Sequence, residues 1–318
     1  MNTPEVKTVV VFPGQGSQEK GMGRDVAERF TEAMDLWKQA EKAADAPLRE
    51  IYWDGTDQDM ARTRYLQPAM TATTLSLWIV GHQRLRADCL AGHSLGEFAA
   101  LAAARILEIP DVLELTALRG RLMDEAGSAQ GGKMAAVLKL SRNLVQEIID
   151  AARGESGQEL RIANDNSPGQ FVISGTAELV EQATSLVKER KGRAVPLAVS
   201  GAFHSSLMAE PAREFAGVLK KMDWRSPRIP LYFNVTARPE SDPARIQTLV
   251  AEQMTSSVLW TQSVLAQWQD GARNWVELGP KGVLTRLINA ILADKTDSWE
   301  SKSISGLEQL DTLPPSSE

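Results

Sequence analysis

Ser94 stands between two glycines in Gly92-His93-Ser94-Leu95-Gly96, a spacing that suits a nucleophile on a tight strand-to-helix turn. The flanking glycines let other backbone pass close, and a strained serine conformation would hold the hydroxyl clear of the strand, beside the first N–H groups of the following helix. An ordinary tight turn of small residues has the same pattern, so the chemical reading needs a base. Only His82, His93 and His204 are available. His82 reads as a surface residue near a helix end. His93 adjoins Ser94 and faces away from it in any regular backbone, which suits it to bracing the elbow. His204, on the loop that precedes residues 206–222, is the remaining candidate for the base.

Arg119 is the third residue of interest. Val112, Leu115 and Met123 lie seven before, four before and four after it, so on a helix its stem runs along a largely apolar face. Two readings stand: the guanidinium snorkels to solvent, or it waits for a substrate carboxylate that its planar fork can hold bidentately.

These groups must be positioned by the elements around them. Residues 8–12 form a β-branched and aromatic run ending in Pro13-Gly14-Gln15-Gly16-Ser17-Gln18, a strand that breaks into a glycine-rich loop. The loop lacks the Lys-Ser/Thr ending of a P-loop and the spacing of a dinucleotide fingerprint, which leaves a plain turn or a set of backbone donors. A helix is expected over 24–44, with Val26, Phe30, Met34, Trp37 and Ala40 as its apolar stripe, and another over 66–85. The elbow follows, as strand 89–91, Ser94 and helix 99–107; Pro110 then opens the helix of Arg119. This order indicates α/β layering. Residues 127–132, Gly-Ser-Ala-Gln-Gly-Gly, read as a flexible linker.

Strands 134–138, 160–163, 171–174 and 194–197 with helices 144–152 and 177–190 follow in β-α-β-β-α-β order, the order of a ferredoxin-like unit. Its inserted position suits a lid or wall over the site. Lys188, Arg190, Lys191 and Arg193 form a solvated helix end or a contact for substrate phosphates. Helix 206–222, strand 229–234, helices 243–253 and 260–268, strand 275–277 and helix 282–292 complete the pattern. The expected fold is α/β: an α/β-hydrolase-like large domain with a parallel sheet and nucleophile elbow (1–128 and 198–293), and an inserted ferredoxin-like subdomain (129–197). Residues 294–318 are expected as a polar, mobile tail.

Composition narrows the classes. The 318 residues are 43% hydrophobic and 24% charged, which suits a globular protein and neither a disordered nor a membrane one. A net charge of −6 gives no basic footprint for nucleic acid. One cysteine, Cys89, precludes an internal disulfide, and no Cys/His cluster has metal-site spacing. No signal-peptide pattern and no apolar run of about 18 residues is present, so a soluble, cytoplasmic protein with no membrane partner is expected.

Taken together, Phe12-Pro13-Gly14-Gln15-Gly16-Ser17-Gln18, Gly92-His93-Ser94-Leu95-Gly96-Glu97, Arg119-Gly120 with Met123, Asn166-Ser167-Pro168-Gly169-Gln170, Gly201-Ala202-Phe203-His204-Ser205 and Glu277-Leu278-Gly279-Pro280 resemble the malonyl-CoA:acyl carrier protein transacylases of fatty acid synthesis and the acyltransferase domains of polyketide synthases. The resemblance runs from about residue 9 to 292. It implies a Ser94–His204 dyad that takes a malonyl group from malonyl-CoA and passes it to the phosphopantetheine thiol of holo acyl carrier protein, with no bound cofactor or metal. It further implies an oxyanion hole from the backbone N–H groups of Gln15 and Leu95, a carboxylate contact at Arg119, and an acyl pocket shaped by Phe203 and Met123. Ala202-Phe203-His204 resembles the form associated with malonyl rather than methylmalonyl units, a preference of about 1–3 kcal/mol for one methyl group. The histidine is oriented in the family by a backbone carbonyl, at the position matching Leu259. A stand-alone acyl hydrolase on the same fold and a non-catalytic carrier-docking module are the alternatives. Arg119 argues against the first and the presence of both Ser94 and His204 against the second.

Overall fold

The computed structural model describes residues 6–199 and 201–314. Among them lie nine strands: β1 (Lys7–Phe12), β2 (Cys89–Gly92), β3 (Gly132–Leu138), β4 (Leu160–Ser167), β5 (Gln170–Thr176), β6 (Arg193–Pro196), β7 (Leu231–Tyr232), β8 (Ala272–Leu278) and β9 (Glu300–Ile304). They form a parallel five-stranded sheet, ordered β7-β2-β1-β8-β9, and a separate antiparallel four-stranded sheet, ordered β4-β5-β3-β6.

The central strand β1 is apolar and buried from Val9 to Phe12 because helices cover both faces of the parallel sheet. Val10 and Phe12 pack on one side with Leu66, Leu75, Phe98 and Leu101. Val9 and Val11 pack on the other with Trp260, Trp275, Leu284 and Ile288. Parallel pairing also places the C-terminal ends of β1, β2 and β7 at one edge, with Phe12 opposite Gly92 and Ala91 opposite Tyr232. The glycine-rich loop, the elbow and Asn234 therefore emerge side by side, at the edge where open α/β sheets place their sites. The antiparallel sheet has its own core, including Val137, Ile148, Phe171 and Val180 under helices Arg142–Arg153 and Ala177–Glu189.

Three expectations are corrected. The helix foreseen over 24–44 is two, Arg24–Arg29 and Thr31–Ala44, because Phe30 is extended at φ −124°, ψ 123°. The break re-aims the second helix so that Ala33, Leu36, Trp37 and Ala40 are buried while Phe30 and Met34 lie at the margin. The linker foreseen at 127–132 does not exist as such: helix Ile109–Gln130 runs through Gly127, Gly131 caps it at φ 65°, and Gly132 already pairs with Thr176. Each of the two glycines inside this helix, Gly120 and Gly127, costs only about 1 kcal/mol, which a 22-residue packed helix absorbs.

The third correction is at the C-terminal end. Residues 294–314 are not a mobile tail: β9 adds a fifth strand beside β8, and helix Leu307–Asp311 buries Leu310. Arg84 Nε then donates to the Pro314 carbonyl at 2.9 Å. Residues 315–318 of the foreseen tail lie outside the described residues. No helix among those described is long and apolar enough to cross a membrane.

Candidate active site

Between β2 and helix Gly96–Ala103 the chain turns so sharply that Ser94 adopts φ 50°. Gly96 makes that turn possible, since a Cβ there would lie 1.9 Å from the Phe12 carbonyl oxygen. A non-glycine residue in the left-handed region costs of order 1–3 kcal/mol, and it persists only where its surroundings hold it. Here Asn234 does so. Its Oδ1 accepts from the Ser94 N–H at 2.6 Å and its Nδ2 donates to the Gly92 carbonyl at 2.6 Å. Removing that side chain by Asn234→Ala takes these partners from the half-buried Ser94 N–H and the buried Gly92 carbonyl. The variant should lose about 1–3 kcal/mol in denaturant titration together with part of its Ser94 acylation rate; wild-type values of both would remove Asn234 from the elbow.

His204 also has a positive φ, 57°, and its ring reaches the serine: Nε2 lies 2.8 Å from Ser94 Oγ. Nδ1 faces two acceptors, the carbonyls of Gln253 at 3.0 Å and Ser256 at 3.1 Å. A ring nitrogen between two carbonyls carries the proton, so Nε2 is left as the acceptor for the serine hydroxyl. The orienting carbonyl is therefore not that of Leu259. The Leu259 oxygen instead accepts from the Ser263 N–H and hydroxyl, and its N–H donates to the Asn234 carbonyl.

Burial, with the Arg119 charge second, pushes the His204 pKa down to about 3, so the imidazole is neutral at pH 7. With three histidines in the chain, imidazole NMR can follow each ring, and the His204 resonances should not titrate between pH 5 and 8. The unfolded chain protonates this ring near 6.5 and the folded chain near 3, so unfolding takes up a proton between those values. Its contribution to stability is complete above pH 6.5 and is lost as pH falls toward 3.

Arg119 does not snorkel. It is 1% exposed, on the middle of helix Ile109–Gln130, with Phe98 against its guanidinium at 5.4 Å. Nη1 donates to Gln67 Oε1 at 2.8 Å, while Nη2 donates to Gln253 Oε1 at 3.0 Å and to Ser94 Oγ at 3.3 Å. Nε has no partner, and among the described residues no carboxylate pairs with this cation. Burial, partly offset by Glu97, lowers its pKa to about 10, and it stays charged.

A cleft at this point is lined by Gln15, Leu95, Met123, Met134, Phe203 and the three groups above. The backbone N–H groups of Gln15 and Leu95 donate to no protein acceptor among the described residues. The loop bearing Gln15 is tied to the elbow, as the His93 N–H donates to Phe12 O at 3.0 Å. His93 points away from the serine: Nε2 lies 2.8 Å from Asn166 Oδ1 and the ring meets Trp260 edge-on at 5.5 Å. Asn166 belongs to β4, so this contact joins the antiparallel sheet to the elbow. Among the described residues no group of three or more His, Cys, Asp or Glu side chains could hold a metal ion.

The family model for the acyl transferase domain matches residues 9–312. A malonyl CoA-acyl carrier protein transacylase of Haemophilus influenzae is 36% identical over 293 residues, 91% of this chain and 93% of that protein. The chain belongs to the malonyl CoA-acyl carrier protein transacylase family. Among solved structures, an acyl carrier protein S-malonyltransferase of Vibrio cholerae superposes with a TM-score of 0.90 at 34% identity, covering 97% of this chain and 100% of that one. A malonyl-transacylase solved in complex with its type II PKS acyl-carrier protein also gives 0.90, at 31% identity and 96% and 98% coverage.

Within this transacylase-family site, sequence reasoning missed Gln67, Asn234 and Gln253 and gave Glu97 no role. Glu97 and Gln253 are each 1% exposed. A signal was present for two of them: Gln67 interrupts the apolar run around Leu66 and Met70, and Asn234 is the polar residue that closes the expected strand 229–234, lying two residues past the observed β7.

Proposed function

We propose that this chain transfers a malonyl group from malonyl-CoA to the phosphopantetheine thiol of acyl carrier protein through an ester on Ser94. His204 Nε2 takes the hydroxyl proton as Ser94 Oγ attacks the thioester carbonyl. The N–H groups of Gln15 and Leu95 hold the tetrahedral oxyanion. As the intermediate collapses, the imidazolium returns its proton to the departing CoA sulfur. In the second half-reaction His204 deprotonates the carrier thiol, the thiolate attacks the ester, and the proton goes back to Ser94. Every step is a proton or acyl transfer between these groups, so the chemistry calls for no cofactor.

The observation that carries the reading is the pairing, at one hydroxyl, of a neutral imidazole at 2.8 Å with a buried guanidinium at 3.3 Å that has no carboxylate of its own. A malonyl ester carries its carboxylate two carbons beyond the carbonyl carbon, within the reach of Arg119. Phe203 and Met123 line the same cleft and in this reading limit the acyl group's α-substituents. The fold is read as an α/β-hydrolase-like domain with a nucleophile elbow, extending through β9. A ferredoxin-like unit, β3 to β6, is inserted as one wall, with its boundary near 129–197. Free, buried Cys89 accords with a cytoplasmic enzyme.

Intact mass after exposure to equal malonyl-CoA and acetyl-CoA tests the reading. One malonyl adduct, discharged only when holo carrier protein is added, is the expected result. An adduct that decays in buffer alone, or an acetyl adduct formed in preference, would turn the assignment toward an acyl hydrolase.

A further inference from the structure

The partners of Arg119 are unusual for a buried cation. Both acceptors that fix its fork are neutral amides, Gln67 Oε1 and Gln253 Oε1, and the nearest carboxylate in the network, Glu97, stands one hydrogen bond further away. Gln253 Nε2 spends its two protons on the Ser94 carbonyl at 3.0 Å and on Glu97 Oε1 at 2.8 Å. The other Glu97 oxygen accepts from the Asn234 N–H at 2.6 Å. Turning the Gln253 amide over would set its oxygen against two acceptors and its NH2 against the guanidinium, so Glu97 and the Ser94 carbonyl permit only the observed sense.

We propose that Gln67 and Gln253 are specificity-determining positioning residues. They hold Arg119 by neutral oxygens, and Glu97 fixes the sense of Gln253 from one step away, so that the guanidinium is aimed at Ser94 with its charge free for a substrate carboxylate. A carboxylate in direct contact would neutralise the cation and occupy the fork that the substrate needs. A carboxylate one amide removed offsets part of the cost of burying the cation and leaves the fork open. Burial pushes the Glu97 pKa up to about 7, so the kinetic comparison is made at pH 8, where this side chain is ionised. The inference rests on the malonyl-transfer reading and names what sets its selectivity.

The test is to exchange the two groups. Glu97→Gln with Gln253→Glu keeps the heavy atoms and the net charge and moves the carboxylate one step, onto Arg119. The Ser94 carbonyl loses its Gln253 donor in the exchange, a loss that falls on both acyl substrates alike and cancels in a ratio of the two. The readout is the ratio of kcat/KM for Ser94 acylation by malonyl-CoA to that by acetyl-CoA. The ratio should fall by roughly 30-fold or more, the scale of a close charge pair, through a raised KM for malonyl-CoA. A network with only a structural role predicts that this isosteric exchange leaves the ratio at its wild-type value, and that result would overturn the proposal. Gln67→Glu places a carboxylate on the other branch of the fork, away from the His204 contacts, and gives up only a 3.3 Å contact with the Met123 sulfur. It should lower the same ratio, and it decides the matter if the double variant does not fold. Wild-type protein that takes up no malonyl group would refute the function itself, whereas wild type that loads malonyl beside variants of unchanged ratio would refute only this inference.

Discussion

Ser94→Ala should give a folded protein that forms no acyl adduct from malonyl-CoA, with transfer to carrier protein reduced at least about 10⁴-fold, as when a covalent nucleophile is removed. The variant should fold because what holds the elbow is not the hydroxyl. Asn234 grips the Ser94 N–H and the Gly92 carbonyl, and Gly96 packs on the Phe12 carbonyl. Alanine tolerates φ 50° about as poorly as serine, so the strain is unchanged. Intact mass and a melting curve measured on the same sample separate the two effects. An adduct that still forms on the alanine variant would move the nucleophile elsewhere.

Arg119→Ala should lower kcat/KM for malonyl-CoA by about 2–4 kcal/mol, roughly 30- to 1000-fold, with acylation by acetyl-CoA affected far less. The change has two parts. In the proposed reading the substrate carboxylate loses its partner; in addition the oxygens of Gln67 and Gln253 lose their donor, which costs some stability. A second effect follows from the charge itself. Arg119 helps to hold the His204 pKa low, so the variant's imidazole should titrate at a higher pH, visible in its NMR titration. Unchanged acyl selectivity would remove Arg119 from the binding site.

The candidate site was legible where side-chain type would carry the proposed chemistry. A serine between glycines, a remote histidine and a cation on an apolar helix face are visible in one dimension, and the structure brings all three within hydrogen-bonding distance. It was not legible where backbone does the work. The carbonyls that orient His204 belong to Gln253 and Ser256, and a carbonyl has no residue signature, which is why Leu259 could be taken for the position. Long apolar elements such as β1 and helix Thr63–Gly81 announced themselves. β9, Glu-Ser-Lys-Ser-Ile, did not, because an edge strand half open to water reads as polar loop. The break at Phe30 was hidden because the apolar stripe runs through it at helical spacing.

That C-terminal strand and its helix also anchor the last described residues. Pro314 is tied to Arg84, just beyond the far end of helix Thr63–Gly81, while Thr63 at the near end receives the Gln15 side-chain amide beside the cleft. Nineteen helical residues span about 28 Å. The last described residue is thus held roughly a helix length from the mouth of the cleft, so a change made at that end acts on the site only through the helix between them.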